Sequence, residues 1–330
     1  MTEIRIRLVV LAGLLASAAA LFLLVRTIDV AEALDVLTRA HPLPLAGILG
    51  VVALQTGLRA FRWSVLLPRL EDGRRIPFVR LVPALLVGYL GNAVLPARLG
   101  EPMRAVMASR RERVGMPEAL GSVLVERAID VVTLAPLAFV AALLVGAPGW
   151  VVQLLGVAAA VGAVILAILL TVGAMPLVRL ANRLIPTART GFRDVVGRFG
   201  ATIGGPSRRP QLLAAAAIST AAWFLDATSV WLVAISIGVE VEYAAAVLIA
   251  SVGILGTAIP SAPGYVGTFE LAVAGTAGIV GVPPASALAL AVLTHAMTLL
   301  PLALGGVMSV VAMGVDMGAV GRAARAPGHE

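Results

Sequence analysis

Six long apolar runs constrain the fold of this chain more than any other feature of its sequence. They cover residues 8–25, 43–58, 119–147, 150–173, 211–237 and 285–314. Each run is at or near the ~20 residues that a helix needs to cross a bilayer. Only 13% of the residues are charged, whereas soluble domains carry about 25%. The sequence therefore predicts an all-α, polytopic membrane protein.

The distribution of arginine, which supplies all 25 basic residues, predicts how the chain is oriented. Arginines cluster before the first run, after the second, ahead of the third, in a loop at 178–210 and in the tail, whereas the loops near 29–39 and 238–242 are mostly acidic. Basic loops stay on the cytoplasmic side. We therefore expect a multi-pass protein of the inner membrane with both termini cytoplasmic. This topology signal accounts for the net charge of +7 without nucleic-acid binding.

The sequence offers little material for catalysis or for cofactors. It contains no cysteine, and its three histidines are scattered. A phosphate-binding loop with lysine, a Gly-x-Ser-x-Gly elbow and metal-ligand spacing are all missing from it. We therefore predict no cofactor, no metal and no enzymatic activity.

Two apolar segments are interrupted by glycine and proline and do not read as plain crossings. Residues 81–97 have arginine clusters on both sides, so a single crossing would break the charge rule. A re-entrant hairpin that turns near Gly88, Gly91 and Asn92 resolves this conflict. Residues 243–281 pose the same problem from the outer face, which predicts a second hairpin. Non-helical backbone at membrane depth needs protein or a wet cavity around it.

The order of these segments predicts an inverted repeat inside one transmembrane domain of residues 1–330. Its halves cover about 43–147 and 211–314, and each contains a span, a broken hairpin and a second span. Inverted repeats whose broken helices meet near the midplane are found in many secondary transporters. Chance similarity between apolar segments rich in glycine and alanine is the alternative.

Polar and ionisable residues within the apolar segments mark the candidate site, because such groups cost free energy in hydrocarbon and are usually functional. The candidate substrate-binding residues are Asn92, Arg98, Glu101, Arg104, Glu126, Arg127, Asp130, Tyr265, Glu270 and His295. The guanidinium groups of Arg98 and Arg104 suit bidentate contacts with phosphate. Alternatively, Glu101 pairs with one of them and closes the hairpin.

Glu126 and Asp130 are four residues apart and share one helical face. They either couple transport or form a structural ion network with Arg127, Arg59 or Arg62. Asp226 lies in the middle of a span, where it is either paired across helices or protonated.

Residues around the second hairpin also allow two interpretations each. Glu270 begins a helix, so it either caps that helix or contacts a cationic headgroup. His295 either titrates near neutral pH or is a packing residue. Trp63 and Trp150 lie near span ends and are expected to be interfacial anchors. The pattern of residues 29–40 predicts an amphipathic surface helix.

A family resemblance rests on two groups of residues. They are Gly91-Asn92, Pro96, Arg98, Gly100-Glu101, Arg104 and Glu126-Arg127-Asp130, and then Pro260, Pro263-Gly264, Gly267 and Glu270. Together they resemble the flippase-like lysylphosphatidylglycerol synthase transmembrane-domain family over roughly residues 10 to 315. His295, which precedes Pro301, is similar to a basic residue in the last helix of many members. The resemblance implies the flippase-like part alone, without a soluble synthase domain.

We therefore expect a protein that translocates or binds a lipid with a polar, charged headgroup: a phospholipid, an aminoacyl-phospholipid or a polyprenyl-linked lipid. Its expected partners are membrane lipids with anionic or aminoacylated headgroups, together with envelope-synthesis enzymes. One alternative is a membrane transferase acting on lipid phosphate, with Glu101 or Glu126 as the base. The other is a structural component of an envelope-synthesis complex.

Overall fold

The computed structural model describes residues 3–70, 72–95, 99–171 and 208–314. Arg98 and most of the basic loop at 178–210 lie outside these ranges. Within them the chain forms eleven α-helices, one short 3-10 helix and no strand. The helices are α1 (Glu3–Thr27), α2 (Val30–Thr38), α3 (Pro42–Leu66), α4 (Phe78–Val94), α5 (Gly100–Glu112), α6 (Met116–Leu144), α7 (Gly149–Thr171), α8 (Arg209–Ser236), α9 (Tyr243–Gly256), α10 (Thr268–Ile279) and α11 (Pro284–Ala312).

The predicted polytopic, all-helical fold is confirmed. Five of the described helices, α3, α6, α7, α8 and α11, are long and apolar enough to cross a membrane. Together α1 and α2 form a further candidate that is bent by 88° between its two parts. The cytoplasmic location of both termini stays a prediction.

The helix expected at residues 29–40 is present as α2, because Asp29 caps its first turn. The Asp29 carboxylate accepts hydrogen bonds from the backbone N–H groups of Ala31 at 2.9 Å and Glu32 at 3.2 Å. Ala33 is buried, and most of the remaining side chains of α2 are exposed. A helix that buries one narrow face in this way suits a surface position.

One of the two tryptophan predictions is wrong. Trp63 is 0% exposed, and its Nε1 donates to the Ser122 hydroxyl at 2.8 Å. It belongs to a buried cluster between α3, α4, α5 and α6 and is not an interfacial anchor. The ring carries a polar N–H, and a buried partner on α6 satisfies that group as well as water would. Trp150, at the start of α7, is 63% exposed.

The first hairpin consists of α4 and α5, and it does not turn where the sequence suggested. Helix α4 runs unbroken through Gly88, Gly91 and Asn92 to Val94. These glycines give α5 room to approach instead. A Cβ on Gly91 would stand only 2.7 Å from the Gly100 Cα. Small residues that let backbones approach closely are typical of helix contacts in membranes.

The second hairpin consists of α9 and α10, joined by a turn that contains the 3-10 helix Pro263–Tyr265. Three residues of this turn have left-handed backbones: Gly264 with φ 71°, Tyr265 with φ 62° and Gly267 with φ 91°. Positive φ is uncommon for a tyrosine and is found where the surroundings hold the backbone in place. The two arms approach closely at Gly256, where a Cβ would stand 2.7 Å from the Ala272 Cβ.

The described helices repeat one order of lengths. A long helix, two short ones and another long one appear first as α3 to α6 and again as α8 to α11. The two series interlock, because α3 packs along α8, α4 packs along α11, and α6 packs against α9. This order is what the repeat hypothesis requires, and the opposite orientation of the halves stays a prediction.

Helix α1 packs against the turn of the second hairpin. The Ser17 hydroxyl accepts a hydrogen bond from the Ala262 backbone N–H at 2.8 Å. A Cβ on Gly13 would stand 2.9 Å from the Ser261 carbonyl oxygen, and one on Gly267 would stand 2.7 Å from the Ser17 carbonyl oxygen. Helix α1 therefore lies in backbone contact with the turn between α9 and α10.

Candidate functional site

A cavity of about 200 Å³ lies where the tips of the two hairpins meet. The tips are in contact, since a Cβ on Gly264 would stand 3.5 Å from the Ala93 carbonyl oxygen. The hairpins supply α4, α5, α9, α10 and the turn to the wall, and the long helices α3, α6, α8 and α11 complete it. Broken helices that surround a cavity in this way have a protein environment for their exposed backbone groups.

Six of the ten residues selected from the sequence line this cavity. They are Asn92, Glu101, Arg104, Arg127, Tyr265 and His295. Three others stand behind the wall and hold it: Glu126 and Asp130 contact the lining arginines, and Glu270 contacts His295. Arg98 lies outside the described residues. The structure thus brings together residues that are up to about two hundred positions apart in the sequence.

Asn92 and the glycines of α4 position the first part of the wall. The Asn92 Oδ1 accepts a hydrogen bond from the Gly100 backbone N–H at 3.0 Å, which satisfies a free donor at the start of α5. The Cβ of Arg104 lies 3.0 Å from the position that a Cβ on Gly88 would take. The absence of a side chain at this glycine lets the Arg104 stem lie against α4 and reach the cavity.

An ion network of three arginines and three carboxylates forms one side of the site. Its contacts are Arg62 with Glu126 at 2.8 Å and with Asp130, Arg104 with Glu126 at 2.9 Å, and Arg127 with Glu126 at 3.0 Å, Asp130 at 3.2 Å and Glu101 at 3.6 Å. The side chains of Arg62 and Glu126 are only 1% and 2% exposed. Since each charge has an opposite neighbour, the cluster is formally neutral when every member is ionised. Buried charges are tolerated when they are paired and hydrogen-bonded in this way.

The partners expected from the sequence are partly corrected by this network. Arg104 pairs with Glu126 and not with Glu101, because the guanidinium extends towards α6 and lies 5.0 Å above the Trp63 ring. Glu101 faces Arg127, at the other side of the same cluster. Arg127 is the most accessible arginine of the network, with 37% of its side chain exposed.

A separate ion pair joins the two halves of the chain. The Arg59 guanidinium, on α3, lies 2.8 Å from the Asp226 carboxylate, on α8. It also stands 5.1 Å above the ring of Trp223, which favours a cation over its face. Asp226 is therefore paired across helices, one of the two alternatives that the sequence allowed.

His295 lines the cavity on the side of the second hairpin, and Glu270 stands behind it. One carboxylate oxygen of Glu270 accepts the Gly267 backbone N–H at 2.6 Å, so Glu270 caps α10. The other oxygen lies 2.5 Å from the His295 Nδ1. The His295 ring in turn packs on Phe269, at 4.6 Å between centroids.

The cavity is amphipathic. Its lining includes arginines, carboxylates, Tyr89 and Asn92, and also the apolar side chains of Val230, Ala250, Ile254, Leu299 and Leu302. Two polar atoms in its buried wall, the Arg104 Nε and the Thr294 hydroxyl, have no hydrogen-bond partner among the described residues. Buried polar groups are normally satisfied. This arrangement can receive a ligand that has both a polar and an apolar part.

Several residues of the wall were not selected from the sequence. Gln55, Trp223, Phe269 and Thr294 are uncharged or aromatic residues in apolar helices, where they resemble ordinary packing residues. Arg59 was considered only as a partner for carboxylates. The usable signal for Gln55 and Arg59 is their spacing of four, which places both on one face of α3.

Comparison with known proteins gives one family. Residues 10–306 match the sequence profile of the family described as "Lysylphosphatidylglycerol synthase TM region". The matched range includes every described residue that lines the cavity.

One curated relative is similar over almost the whole chain. It is "Glycosyltransferase AglD" from Haloferax volcanii, and it is 28% identical over 354 aligned positions. The alignment covers 94% of this chain and 55% of the relative. The chain thus spans about half the length of the curated protein it matches.

Proposed function

This chain belongs to the family of lysylphosphatidylglycerol synthase transmembrane regions, and from that membership we propose that it moves a lipid with a polar headgroup between the two leaflets of the membrane. The amphipathic cavity between the two hairpins is the observation that carries the proposal. The headgroup occupies the part lined by the ion network while the acyl or prenyl chains remain in the bilayer. The substrate classes are those expected from the sequence: phospholipids, aminoacyl-phospholipids and polyprenyl-linked lipids.

The ion network supplies the chemistry for binding a headgroup phosphate. Arg127 lies at its accessible edge, and its 3.6 Å contact with Glu101 is the longest in the cluster. A phosphate that replaces Glu101 as a partner of this guanidinium gains charge-assisted hydrogen bonds, which are about twice as strong as neutral ones. The Arg104 Nε offers a further donor. The deeper pairs of Glu126 with Arg62 and Arg104 keep their partners when this contact is exchanged.

The apolar part of the cavity accommodates the chain segment next to the headgroup. Leu299 and Leu302 on α11 and Ile254 on α9 are among its apolar lining residues. The first methylene groups of a lipid can exchange the bilayer hydrocarbon for this apolar lining at little cost, whereas a free polar solute would lose hydration against it. The cavity therefore favours a lipid over a free polar solute.

A transferase acting on lipid phosphate is the second candidate, since the curated relative is named a glycosyltransferase. The geometry does not favour Glu126 as its base. Both Glu126 oxygens accept hydrogen bonds from Arg104, and Arg62 and Arg127 also contact this carboxylate. A carboxylate held by three guanidinium groups has little remaining capacity to accept a substrate proton. Glu101, which faces the cavity, is the better base of the two.

Reconstitution of the full chain in liposomes tests translocation directly. Phosphatidylcholine liposomes containing labelled phosphatidylglycerol, lysylphosphatidylglycerol or a polyprenyl phosphate would be assayed for the accessibility of the label in each leaflet. We expect faster exchange of at least one lipid than in empty liposomes. No exchange of any of them, with or without a pH or potential gradient, would contradict the proposal.

Variants of Arg127 connect the exchange to the cavity. R127Q removes a charged hydrogen-bond donor worth about 1.5–3 kcal/mol, so we expect exchange to fall by roughly tenfold to a hundredfold. R127K keeps the charge without the bidentate geometry and should be intermediate. The matched control is R39Q, at a side chain that is 76% exposed.

Turnover of a lipid phosphate without leaflet exchange would favour the transferase. Equal losses of exchange and of protein abundance would favour a structural role in an envelope-synthesis complex.

A further inference from the structure

The carboxylates around the cavity differ in one respect, namely whether the partner can change its charge. Four of them are paired with guanidinium groups: Glu101 with Arg127, Glu126 with Arg62, Arg104 and Arg127, Asp130 with Arg62 and Arg127, and Asp226 with Arg59. Arginine does not lose its proton in proteins. The cationic member of each of these pairs therefore keeps its charge at every physiological pH. The fifth carboxylate, Glu270, is paired with a histidine.

Imidazole is the side chain whose charge changes between about pH 5 and pH 8. The His295 side chain is 11% exposed and lines the cavity, and its Nδ1 faces Glu270. Its Nε2 has no hydrogen-bond partner in the described part of the chain. A proton taken up at Nε2 leaves the contact with Glu270 in place and gives the ring a second donor.

Among the described charged groups around the cavity this ring is the one imidazole, so its protonation changes the charge of the described part of the wall. The four arginines Arg59, Arg62, Arg104 and Arg127 balance the four carboxylates that they contact. Glu270 then leaves one negative charge when His295 is neutral and none when it is protonated. An anionic phosphate is repelled by the first state and accepted by the second. Proton uptake and headgroup binding are therefore coupled in the same direction.

Glu270 also connects the ring to the turn of the second hairpin. Its Oε2 holds the Gly267 N–H at 2.6 Å, and Gly267 has a φ of 91° in a turn that also contains left-handed Tyr265. The protonated ring keeps its contact with Glu270 but becomes a charged donor, which strengthens that hydrogen bond. Because the same carboxylate caps α10, we expect the turn to respond to the protonation state of the ring.

We propose that the His295–Glu270 pair is a proton-binding site that couples proton movement to headgroup movement through this cavity. The imidazole takes up one proton from water on one side of the membrane and gives it up to water on the other side. The coupling rests on the proposed function, while proton binding and the response of the turn do not.

None of the other described titratable or charged groups near His295 is a comparable candidate for proton binding near neutral pH. From the helices packed against α11 the cavity receives Tyr89 on α4, Arg59 on α3 and Asp226 on α8. Arg59 and Asp226 are paired with each other at 2.8 Å, and tyrosine ionises only near pH 10. The acidic side chains of α2, Glu32 and Asp35, are exposed. Only the imidazole among these groups combines access to the cavity with a charge that changes near neutral pH.

The first test requires no lipid substrate. The chain lacks cysteine, so V266C gives a single site for a nitroxide label in the turn, at a residue 41% exposed. In the full-length protein in nanodiscs, we expect the mobility of the label to change between about pH 5.5 and about pH 8, with the same midpoint as the NMR titration of the His295 ring. A label at V25C, on an exposed part of α1, should show no such change.

Two isosteric variants separate proton binding from packing. H295N keeps an amide donor near the position of Nδ1 but cannot titrate, so the V266C label should lose its pH response. E270Q keeps an acceptor for the Gly267 N–H without the charge, and the response should shrink although the cap remains. A label response in H295N equal to that of the native ring would overturn the proposal. So would a native label that does not respond to pH at all.

Lipid exchange provides the second readout. With labelled phosphatidylglycerol in phosphatidylcholine liposomes, exchange by the native protein should rise at least about threefold from about pH 8 to about pH 5.5, whereas H295N should be flat across that range. If no lipid is exchanged by any variant but the label follows the titration of His295, the proton site stands and the translocase function fails. Exchange with the same pH dependence in both proteins would refute the coupling and leave translocation in place.

Discussion

Neutralising Glu126 should destabilise the protein strongly, because the carboxylate is surrounded by three arginines and is only 2% exposed. The network is neutral as a whole, and E126Q leaves it with one uncompensated positive charge. Breaking a buried ion pair by removing one partner costs about 3–5 kcal/mol. Since the glutamine amide oxygen still accepts one hydrogen bond, we expect the lower end of that range for the loss in the free energy of unfolding.

The double variant tests whether charge balance is the cause. R62Q removes a buried guanidinium that contacts Glu126 at 2.8 Å, so R62Q/E126Q restores neutrality. We expect the double variant to be more stable than the sum of the two single losses predicts, by about 1–3 kcal/mol. The free energy of unfolding would be measured by SDS titration in mixed micelles, with tryptophan fluorescence as the signal.

A matched control uses the same chemical change on the surface. Glu240 is exposed in the loop between α8 and α9, so E240Q should alter the free energy of unfolding by no more than about 0.5 kcal/mol. A loss below about 1 kcal/mol for E126Q, or strictly additive effects in the double variant, would refute the reasoning. The network would then be solvated enough to tolerate a missing partner.

Two other predictions concern helix contacts. G91A should destabilise the first hairpin by about 1–3 kcal/mol, because its Cβ would stand 2.7 Å from the Gly100 Cα. G50A is the control, since nothing lies within 4 Å of a Cβ at that helical position, and it should raise thermal stability or leave it unchanged. S17A removes the acceptor for the Ala262 N–H at 2.8 Å and should cost about 1 kcal/mol, with increased label mobility in the turn; unchanged mobility would contradict a fastening role for α1.

The lengths of the apolar runs predicted the long helices of this fold, because a helix needs about 20 apolar residues to cross the bilayer. No comparable length requirement applies to the hairpins. A glycine in a broken segment can mark a turn or a close approach, and both require the same residue. Gly88 and Gly91 were assigned to the turn, whereas in the structure they are contact sites for α5. Only the position of a second helix decides between these roles.

The candidate site was predictable in its members but not in its pairs. Helical spacing placed Glu126 and Asp130 on one face, which needs no knowledge of other helices. The sequence names Arg62 only as one of three possible partners, with Arg127 and Arg59, because the choice depends on how α3 packs against α6. Arg59 and Asp226 are 167 residues apart. Such contacts depend on the tertiary arrangement, which periodicity does not contain.

The hydrogen bond between Ser17 and Ala262 joins residues 245 positions apart, and this separation has a consequence for biosynthesis. At a translation rate of about 5–20 residues per second, roughly 12 to 50 s pass before the partner of α1 has been synthesised. During that time the face of α1 that carries Gly13 and Ser17 is in contact with lipid or with an insertion factor. Assembly in the membrane is therefore completed late, by the return of the last helices to the first one.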